Sequence, residues 1–278
     1  TPVIYFYPPA EFDTSQKINV SVKFNGGLLN EYYPDASASY EGIKFVQSKG
    51  ADRAQSTMMT ERMQSELAWW GIELGGNWPG PETNWPQWIS PRNVSAVKIR
   101  AHNGESERYI FYRGVARLKA LFGTKHDMQT KLVSLIYAEN SENNMTIPSA
   151  WLVSVKETGE ISFKELGALT LASDPEQFFE TEQILKEASA NFPEASYSTA
   201  NVEALRNSLR KSLVENGLFD EEAEAMLNTW QHAYFQLKGT RIMYIVPKEW
   251  IDLHLPLTIS VPSDIVRVYI GRIDLFGI

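Results

Sequence analysis

Polar and apolar residues alternate in short segments through the first half of the chain. The clearest segment is residues 17–24, where apolar side chains recur at every second position, namely Ile18, Val20, Val22 and Phe24. Successive side chains of a strand point to opposite faces of its sheet. The spacing therefore predicts a half-buried strand with these four residues in the core.

Further short segments rich in β-branched and aromatic residues follow up to about residue 170. They predict strands at residues 3–7, 28–33, 43–46, 67–74, 94–100, 108–112, 131–138, 151–156 and 161–163. Gly26-Gly27 suggests that residues 28–33 return as the second arm of a hairpin, and Asn103-Gly104 and Thr158-Gly159 suit tight turns. Strands joined by turns rather than by helices favour an antiparallel, β-sandwich-like N-terminal part over residues 1–173.

The pattern changes after Asp174-Pro175. Helices are predicted at residues 177–191, 199–216 and 221–236. The second has one apolar stripe at helical spacing, formed by Val202, Leu205, Leu209 and Leu213. Gly217 is expected to end this helix, and Asp220 is expected to cap the start of the third.

The β pattern returns at residues 241–246 and 265–275. The helices at 174–238 thus form an insertion before the closing strands at 239–278. Closing strands often pair with strands made early, so the sequence predicts a single α+β unit over residues 1–278.

Composition narrows the possible functions. The chain has 278 residues, no cysteine and a formal net charge of -8. The acidic balance disfavours nucleic acid as a partner, and the absence of cysteine excludes disulfides and thiolate-ligated metals. The longest apolar stretch, residues 132–138, is too short for a transmembrane segment. A chain that opens with Thr1-Pro2 rather than with Met suggests that upstream residues were removed, by signal cleavage or by trimming, and an exported protein is expected.

The most unusual local feature is the tryptophan-rich segment, residues 68–88. It holds five of the eight tryptophans, Trp69, Trp70, Trp78, Trp85 and Trp88, and a repeated Asn-Trp-Pro tripeptide at 77–79 and 84–86. Glycine and proline in the second part predict an irregular loop. The adjacent Trp69 and Trp70 would face opposite sides of a strand, so at most one of them lies in the core of a one-sided sheet.

Indole rings on a loop can bind flat ligand surfaces, and asparagine amides can bind hydroxyl groups. The candidate ligand-binding residues are therefore Trp78, Trp85, Trp88, Asn77 and Asn84, with a glycan, a peptide or a protein as the partner. In the alternative, the indoles fold back and cover the edge of the sheet. Arg113 is a further candidate, as an anion clamp at a strand end or as one half of a structural ion pair.

Signatures of catalysis and of cofactors are missing from the sequence. There is no nucleophile elbow, no phosphate-binding glycine loop and no local zinc motif among the four histidines. No cofactor and no metal site is expected. A glycoside or metal-assisted hydrolase remains open as an alternative, since paired carboxylates are close in space rather than in sequence, and the acids near the tryptophans are Glu61, Glu66, Glu73 and Glu82.

Several motifs are similar to those of a group of uncharacterised, predicted exported bacterial proteins. They are TPVIYFYP at 1–8, FYRGV at 111–115, RIMYIVP at 241–247 and VRVYIGR at 266–272. The resemblance implies export to the periplasm or cell envelope and one full-length unit. It implies no activity and no catalytic residue.

Three functions follow from these observations. The first is a non-enzymatic binding protein of the envelope that uses the tryptophan-rich segment. The second is the carboxylate hydrolase. The third is a structural subunit, for which an exposed apolar patch and self-association are expected. The sequence leaves the oligomeric state open.

Overall fold

The structure is a computed structural model that describes residues 2–42, 44–47, 55–58, 62–118, 121, 123–130, 132–136, 145–171, 174–189 and 192–276. Its strands are β1 (Val3–Ile4), β2 (Ile18–Asn25), β3 (Gly27–Tyr33), β4 (Ser37–Glu41), β5 (Lys44–Gln47), β6 (Gln55–Met58), β7 (Gln64–Leu74), β8 (Ile99–Arg100), β9 (Ser106–Glu107), β10 (Ile110–Ala116), β11 (Gly123–His126), β12 (Val133–Ile136), β13 (Met145–Val155), β14 (Ile161–Leu171), β15 (Gly239–Ile245), β16 (Leu257–Ile259) and β17 (Ile270–Phe276).

Helices are concentrated between β14 and β15. The α-helices are α1 (Pro86–Ile89), α2 (Pro175–Ser189), α3 (Ala200–Glu215), α4 (Asp220–Thr229) and α5 (Lys248–His254). Short 3₁₀ turns lie at Ser90–Asn93 and Glu194–Ser196, and a π-helix at His232–Gln236. The α+β class with antiparallel sheets and a helical segment before the last strands is confirmed. Within the described ranges, no helix has the length and apolar character needed to cross a membrane.

The chain divides into two compact units. Unit 1 comprises Thr1–Leu118 and Trp250–Ile265, and unit 2 comprises Lys119–Glu249 and Val266–Ile278. These boundaries differ from the changes in sequence pattern at 173–174 and 238–239. The late strand β16 pairs with β2 inside unit 1, with Leu257 opposite Val22, so the N-terminal unit is completed by a C-terminal segment. The organisation of the whole chain as a single unit stays a prediction.

Unit 1 contains two antiparallel sheets. One has the order β1-β10-β3, and the other has the order β16-β2-β7-β8-β9, with β4 also pairing with β7. The predicted alternation along β2 is confirmed, because its four apolar side chains are buried. On β7, Trp69 is buried, whereas 55% of Trp70 is exposed, which confirms that the two indoles face opposite sides.

Hydroxyl and indole groups on β7 tie the two sheets of unit 1 together. The Ser65 hydroxyl accepts a hydrogen bond from the Leu29 N–H (2.9 Å) and donates one to the Gly27 carbonyl (2.9 Å). The Trp69 indole N–H donates to the carbonyl of Pro34 (2.8 Å), just beyond β3. Both side chains are buried, so these bonds satisfy polar groups that water does not reach.

The predicted hairpin of residues 17–24 and 28–33 is wrong, because β3 pairs with β10 and not with β2. A turn does exist at Gly26, which has a φ of 85°. Gly27 then packs so closely on the Phe24 ring that a Cβ atom would overlap it. After β2 the chain thus passes over the ring of Phe24, and β3 enters the β1-β10-β3 sheet.

Unit 2 is built on a sheet of order β14-β13-β15-β17. Its core combines side chains of the sheet with those of α3, α4 and the π-helix, including Trp151, Val153, Leu205, Leu209, Leu213, Leu227, Phe235 and Met243. The predicted stripe on α3 is confirmed, since Leu205, Leu209 and Leu213 are buried and Val202 packs against the core. Gly217, with a φ of 110°, follows the end of α3 as expected.

Several predicted element boundaries are wrong. The strand expected at 94–100 is limited to Ile99–Arg100, and the strand expected at 265–275 begins only at Ile270. Val94 and Ala96 are nevertheless buried. Their apolar character is therefore explained by packing in the core and not by membership of a strand. The helix expected at 221–236 is divided between α4 and the π-helix.

Asp220 does not cap α4, so that prediction is also wrong. Phe219 occupies the N-cap position, and its backbone N–H donates to the Glu222 carboxylate (2.7 Å). Asp220 instead forms an ion pair with Arg210 of α3. The Glu222 carboxylate, one turn into the helix, therefore binds the free backbone N–H at the start of α4 in place of the predicted Asp220.

Arg241, at the centre of unit 2, is a charged side chain with 0% exposure. Its guanidinium donates to the carbonyls of Ala233 (2.6 Å) and Leu237, where the π-helix ends. Asp274 lies 3.5 Å from Nε. Desolvation lowers the pKa of Arg241, and the charge of Asp274 opposes that shift. Because helix ends leave carbonyls without intrahelical donors, Arg241 holds the π-helix against β15.

Replacing this side chain by one of similar length without donors, Arg241→Met, is expected to lower the free energy of unfolding by about 3 kcal/mol, because the Leu237 carbonyl loses this donor, the Ala233 carbonyl keeps only the bond from Arg272, and the contact with Asp274 is lost. Urea denaturation measures this quantity. The control is Lys211→Met on α3, whose exposed pair with Glu215 is expected to contribute less than about 0.5 kcal/mol. Equal losses in the two variants would contradict the role of Arg241.

Candidate functional site

A cavity of about 500 Å³ lies in unit 1, between the β3–β10 pair and the segment that carries α1. We call it the aromatic cavity. Its lining consists of apolar groups from Tyr32, Tyr33, Pro81, Trp88, Tyr109 and Phe111 and polar groups from Asn30, Glu31, Thr83, Arg92 and Glu107. This volume and this mixture of aromatic and polar groups are typical of small-molecule sites.

Two paired strands form one side of the aromatic cavity. Tyr33 of β3 lies opposite Phe111 of β10, and Glu31 lies opposite Arg113. Residues directly opposite each other, and those two positions along, share one face of a sheet. Tyr33, Glu31 and Phe111 therefore line the cavity from the same face of the β3–β10 pair.

Two of the three tyrosine hydroxyls in the aromatic cavity bind the protein itself. Tyr109 donates to the carbonyl of Trp88 (3.0 Å), and Tyr33 donates to the carbonyl of Ser106 (3.4 Å). Burial raises the pKa of both phenols, and the charge of Glu107 adds to the effect. Both hydroxyls thus stay protonated, and these residues offer mainly their rings to a ligand.

Trp88 enters the cavity wall from the single helical turn of α1. Pro86 is in the first turn, where a fixed φ and a missing N–H are compatible with a helix. The Trp85 carbonyl accepts hydrogen bonds from Trp88 (3.0 Å) and Ile89 (3.3 Å). The Trp88 ring meets Phe111 edge to face, with the centroids 4.4 Å apart. The prediction that the segment is irregular as far as Trp88 is therefore wrong for residues 86–88.

A buried ion pair closes the other side of the aromatic cavity. Glu107 is 4% exposed, and both of its oxygens accept hydrogen bonds from Arg92, the shortest being 2.7 Å. The backbone N–H of Arg108 also donates to Glu107 (2.9 Å). Arg92 in turn donates to the carbonyl of Pro81 (2.6 Å). The pair thus joins the 3₁₀ turn at Ser90–Asn93, β9 and residues 79–86, which hold three prolines and which we call the proline-rich segment.

The proline-rich segment is held at two further points. The Ser106 hydroxyl donates to the carbonyl of Pro79 (2.5 Å). Gly80 lies so near the pair that a Cβ atom would be 3.3 Å from each Glu107 oxygen and 3.4 Å from Arg92. A larger residue would press on the buried carboxylate, so glycine permits this close approach.

Among the predicted tryptophans, only Trp88 lines the aromatic cavity. Trp85, next to α1, is 66% exposed. The half-buried Trp78 lies elsewhere, with the Arg100 guanidinium 4.8 Å from its ring and with Gly76 beneath it. Its carbonyl accepts a hydrogen bond from Lys98 (2.7 Å). Trp78 thus covers the sheet at β7 and β8, which is the structural alternative considered for these indoles.

The predicted polar residues also lie outside the cavity lining. Asn77 and Asn84 are exposed, and the Asn77 amide oxygen accepts a weak hydrogen bond from Lys98 (3.4 Å). Arg113 forms an ion pair with Glu31 on the paired strand, and both side chains are about half exposed. Arg113 therefore contacts a residue that lines the cavity, Glu31, but does not line the cavity itself.

Sequence reasoning missed most of the residues that line the cavity. Tyr109 and Phe111 lie in an aromatic segment that was recognised only as a strand. Arg92 and Glu107 carried no local signal, because residues 15 positions apart become a pair only when the chain folds. For these missed residues, the sequence offered one indication of a site, namely the run of aromatic residues around β10 that ends at Arg113.

Two of the carboxylates considered for hydrolysis, Glu66 and Glu73, are engaged with cations. Glu66 lies 3.7 Å from Lys23, and Glu73 binds Lys17 and Arg100. Hydrogen bonds from those two cations lower the pKa of Glu73, which favours its ionised form over a proton donor. Glu82 is exposed, and Glu61 lies outside the described residues. In the described part of the chain, no three His, Asp or Glu side chains form a group that could hold a metal ion.

Comparison with known proteins adds nothing to this geometry. No protein-family model, curated protein or solved structure matches the chain. The resemblance to exported bacterial proteins therefore stays a prediction. Function has to be inferred from the aromatic cavity itself.

The geometry makes the Glu107–Arg92 pair the main support of the cavity wall. In Glu107→Gln, the amide loses the charge and one of the two acceptors, so the free energy of unfolding is expected to fall by about 3 kcal/mol. Urea denaturation of Glu66→Gln provides the control, since that exposed pair is expected to change stability by less than about 0.5 kcal/mol. A Glu107→Gln protein as stable as the control would show that the pair does not support the wall.

Proposed function

We propose that the chain is a non-enzymatic carbohydrate-binding protein that holds a neutral sugar in the aromatic cavity. The observation that carries the proposal is the Trp88 ring in the cavity wall, beside polar side chains that can bind hydroxyl groups. A pyranose ring has flat C–H faces and a rim of hydroxyls. Aromatic faces and polar groups placed side by side complement both features.

The polar groups around the cavity suit hydroxyl groups. Asn30 has an amide that donates and accepts, and Thr83 has a hydroxyl that does both. Arg92 uses Nε and Nη2 to hold Glu107 and Pro81, and Nη1 takes no part in those contacts. These groups offer donors and acceptors to a ligand whose hydroxyls need both.

The charges at the site favour a neutral ligand. Glu31 is paired with Arg113, and Glu107 is paired with Arg92, so the two pairs carry no net charge. The whole chain has a formal net charge of -8, which repels polyanions. Uronate-rich glycans and nucleic acids are thus poorer partners than neutral glycans.

A hydrolase is supported less well. Glycoside hydrolysis requires two carboxyl groups on either side of the scissile bond, one of them protonated at the start of the reaction. In the aromatic cavity, Glu107 accepts hydrogen bonds at both oxygens, and Glu31 faces the cation of Arg113. Both carboxylates are thus engaged in ion pairs with arginines of the protein itself.

An exported location fits this proposal. A periplasmic or envelope protein meets glycans of the cell surface and its surroundings. We include export in the proposal because the motifs at 1–8, 111–115, 241–247 and 266–272 resemble those of predicted exported proteins.

Affinity electrophoresis through gels that contain xylan, mixed-linkage β-glucan, galactomannan or glycol chitin tests the proposal. The wild-type chain is expected to be retarded by at least one of these neutral polysaccharides. In Trp88→Ala that retardation is expected to disappear, since the stacking surface is gone.

The matched control is Trp70→Ala, which removes an exposed indole on β7 that does not line the cavity. Its retardation should equal that of the wild-type chain, and far-UV circular dichroism checks that both variants fold. The proposal is wrong if no polysaccharide retards the wild-type chain, or if Trp88→Ala is retarded like Trp70→Ala.

A further inference from the structure

Trp85 combines an exposed side chain with a firmly held backbone. Its indole is 66% exposed. Its N–H donates to the Thr83 hydroxyl (3.2 Å), its carbonyl accepts two hydrogen bonds from α1, and proline follows it. A large aromatic ring therefore stands in solvent on a backbone that is fixed on both sides.

The position of Trp85 relates it to the aromatic cavity. Trp85 is the N-cap residue of α1, and its carbonyl accepts hydrogen bonds from the N–H groups of Trp88 and Ile89. Thr83, which binds the Trp85 N–H, also lines the cavity. The Trp85 backbone is therefore bonded to two residues that line the cavity, Thr83 and Trp88.

The other tryptophans of this region lack one of these properties. Trp78 is covered on its face by Arg100. Trp70 is exposed but lies on β7 and does not line the cavity. Trp85 alone, among the five tryptophans of the tryptophan-rich segment, combines an exposed ring with a direct link to the cavity wall.

We infer that Trp85 forms a second sugar-binding subsite beside the aromatic cavity, so that the ligand is a chain of at least two neutral sugar units. This inference rests on the proposed function. One unit occupies the cavity against Trp88, and the next stacks on the Trp85 ring. A flat, equatorially linked chain fits best, because its successive rings lie nearly in one plane and can extend from Trp88 in the cavity to the exposed ring of Trp85.

Isothermal titration calorimetry with xylo-, cello-, manno- and chito-oligosaccharides of one to six units tests the inference. For the series that binds, affinity should rise by about tenfold between the single sugar and the longer chains. In Trp85→Ala, affinity for the longer chains should fall to that of the single sugar, while affinity for the single sugar should not change.

Two variants sharpen the test. Trp85→Phe keeps a stacking ring and should recover most of the affinity for longer chains, whereas Trp70→Ala should bind every length like the wild-type chain. If Trp85→Ala binds long chains as tightly as the wild-type chain, or if affinity does not depend on length, the second subsite is wrong and the proposed cavity site still stands. If none of the four series binds the wild-type chain at any length, both are wrong.

Discussion

The candidate site depends on the buried contact between Glu107 and Arg92. A carboxylate that is 4% exposed is stable only when its oxygens are hydrogen-bonded, and here Arg92 and the Arg108 N–H bind both of them. Through Arg92, the same carboxylate holds the carbonyl of Pro81. A segment rich in proline and glycine has few backbone bonds of its own, so side chains anchor it, namely this pair at Pro81, Ser106 at Pro79 and Lys98 at the adjacent Trp78. The aromatic cavity exists because the segment is held at a fixed distance from the β3–β10 pair.

Buried polar contacts have the same role elsewhere in the chain. In unit 1, Ser65 and Trp69 of β7 reach backbone groups at the two ends of β3 and join two sheets whose strands do not pair directly. In unit 2, Arg241 binds carbonyls of the π-helix. In each case a buried polar side chain binds backbone groups that have no partner within their own sheet or helix. These hydrogen bonds offset the free-energy cost of removing the side chain from water.

The tryptophans show how one local sequence can have different roles. Trp78 and Trp85 share the Asn-Trp-Pro tripeptide, yet Arg100 covers the first and solvent surrounds the second. Trp88 follows in a different context and packs against Phe111. The differences come from neighbours distant in sequence, because β8 supplies the cation and β10 supplies the ring. A cluster of aromatic residues in a sequence therefore indicates a region of interest without assigning a role to each member.

The sequence by itself determined the α+β class, the alternating burial of β2, the apolar stripe of α3 and the opposite faces of Trp69 and Trp70. These features depend on the fixed periods of strands and helices, which any stretch of chain carries locally. It also directed attention to Trp88 and, through Arg113, to the rim of the cavity. Only the tertiary structure decided that β3 joins β10, that Glu107 binds Arg92, and that Trp88 rather than Trp78 lines a cavity. Each of these depends on which distant segments meet, and that choice is made by packing and by the pairing of buried charges, for which no local spacing in the chain provides a signal.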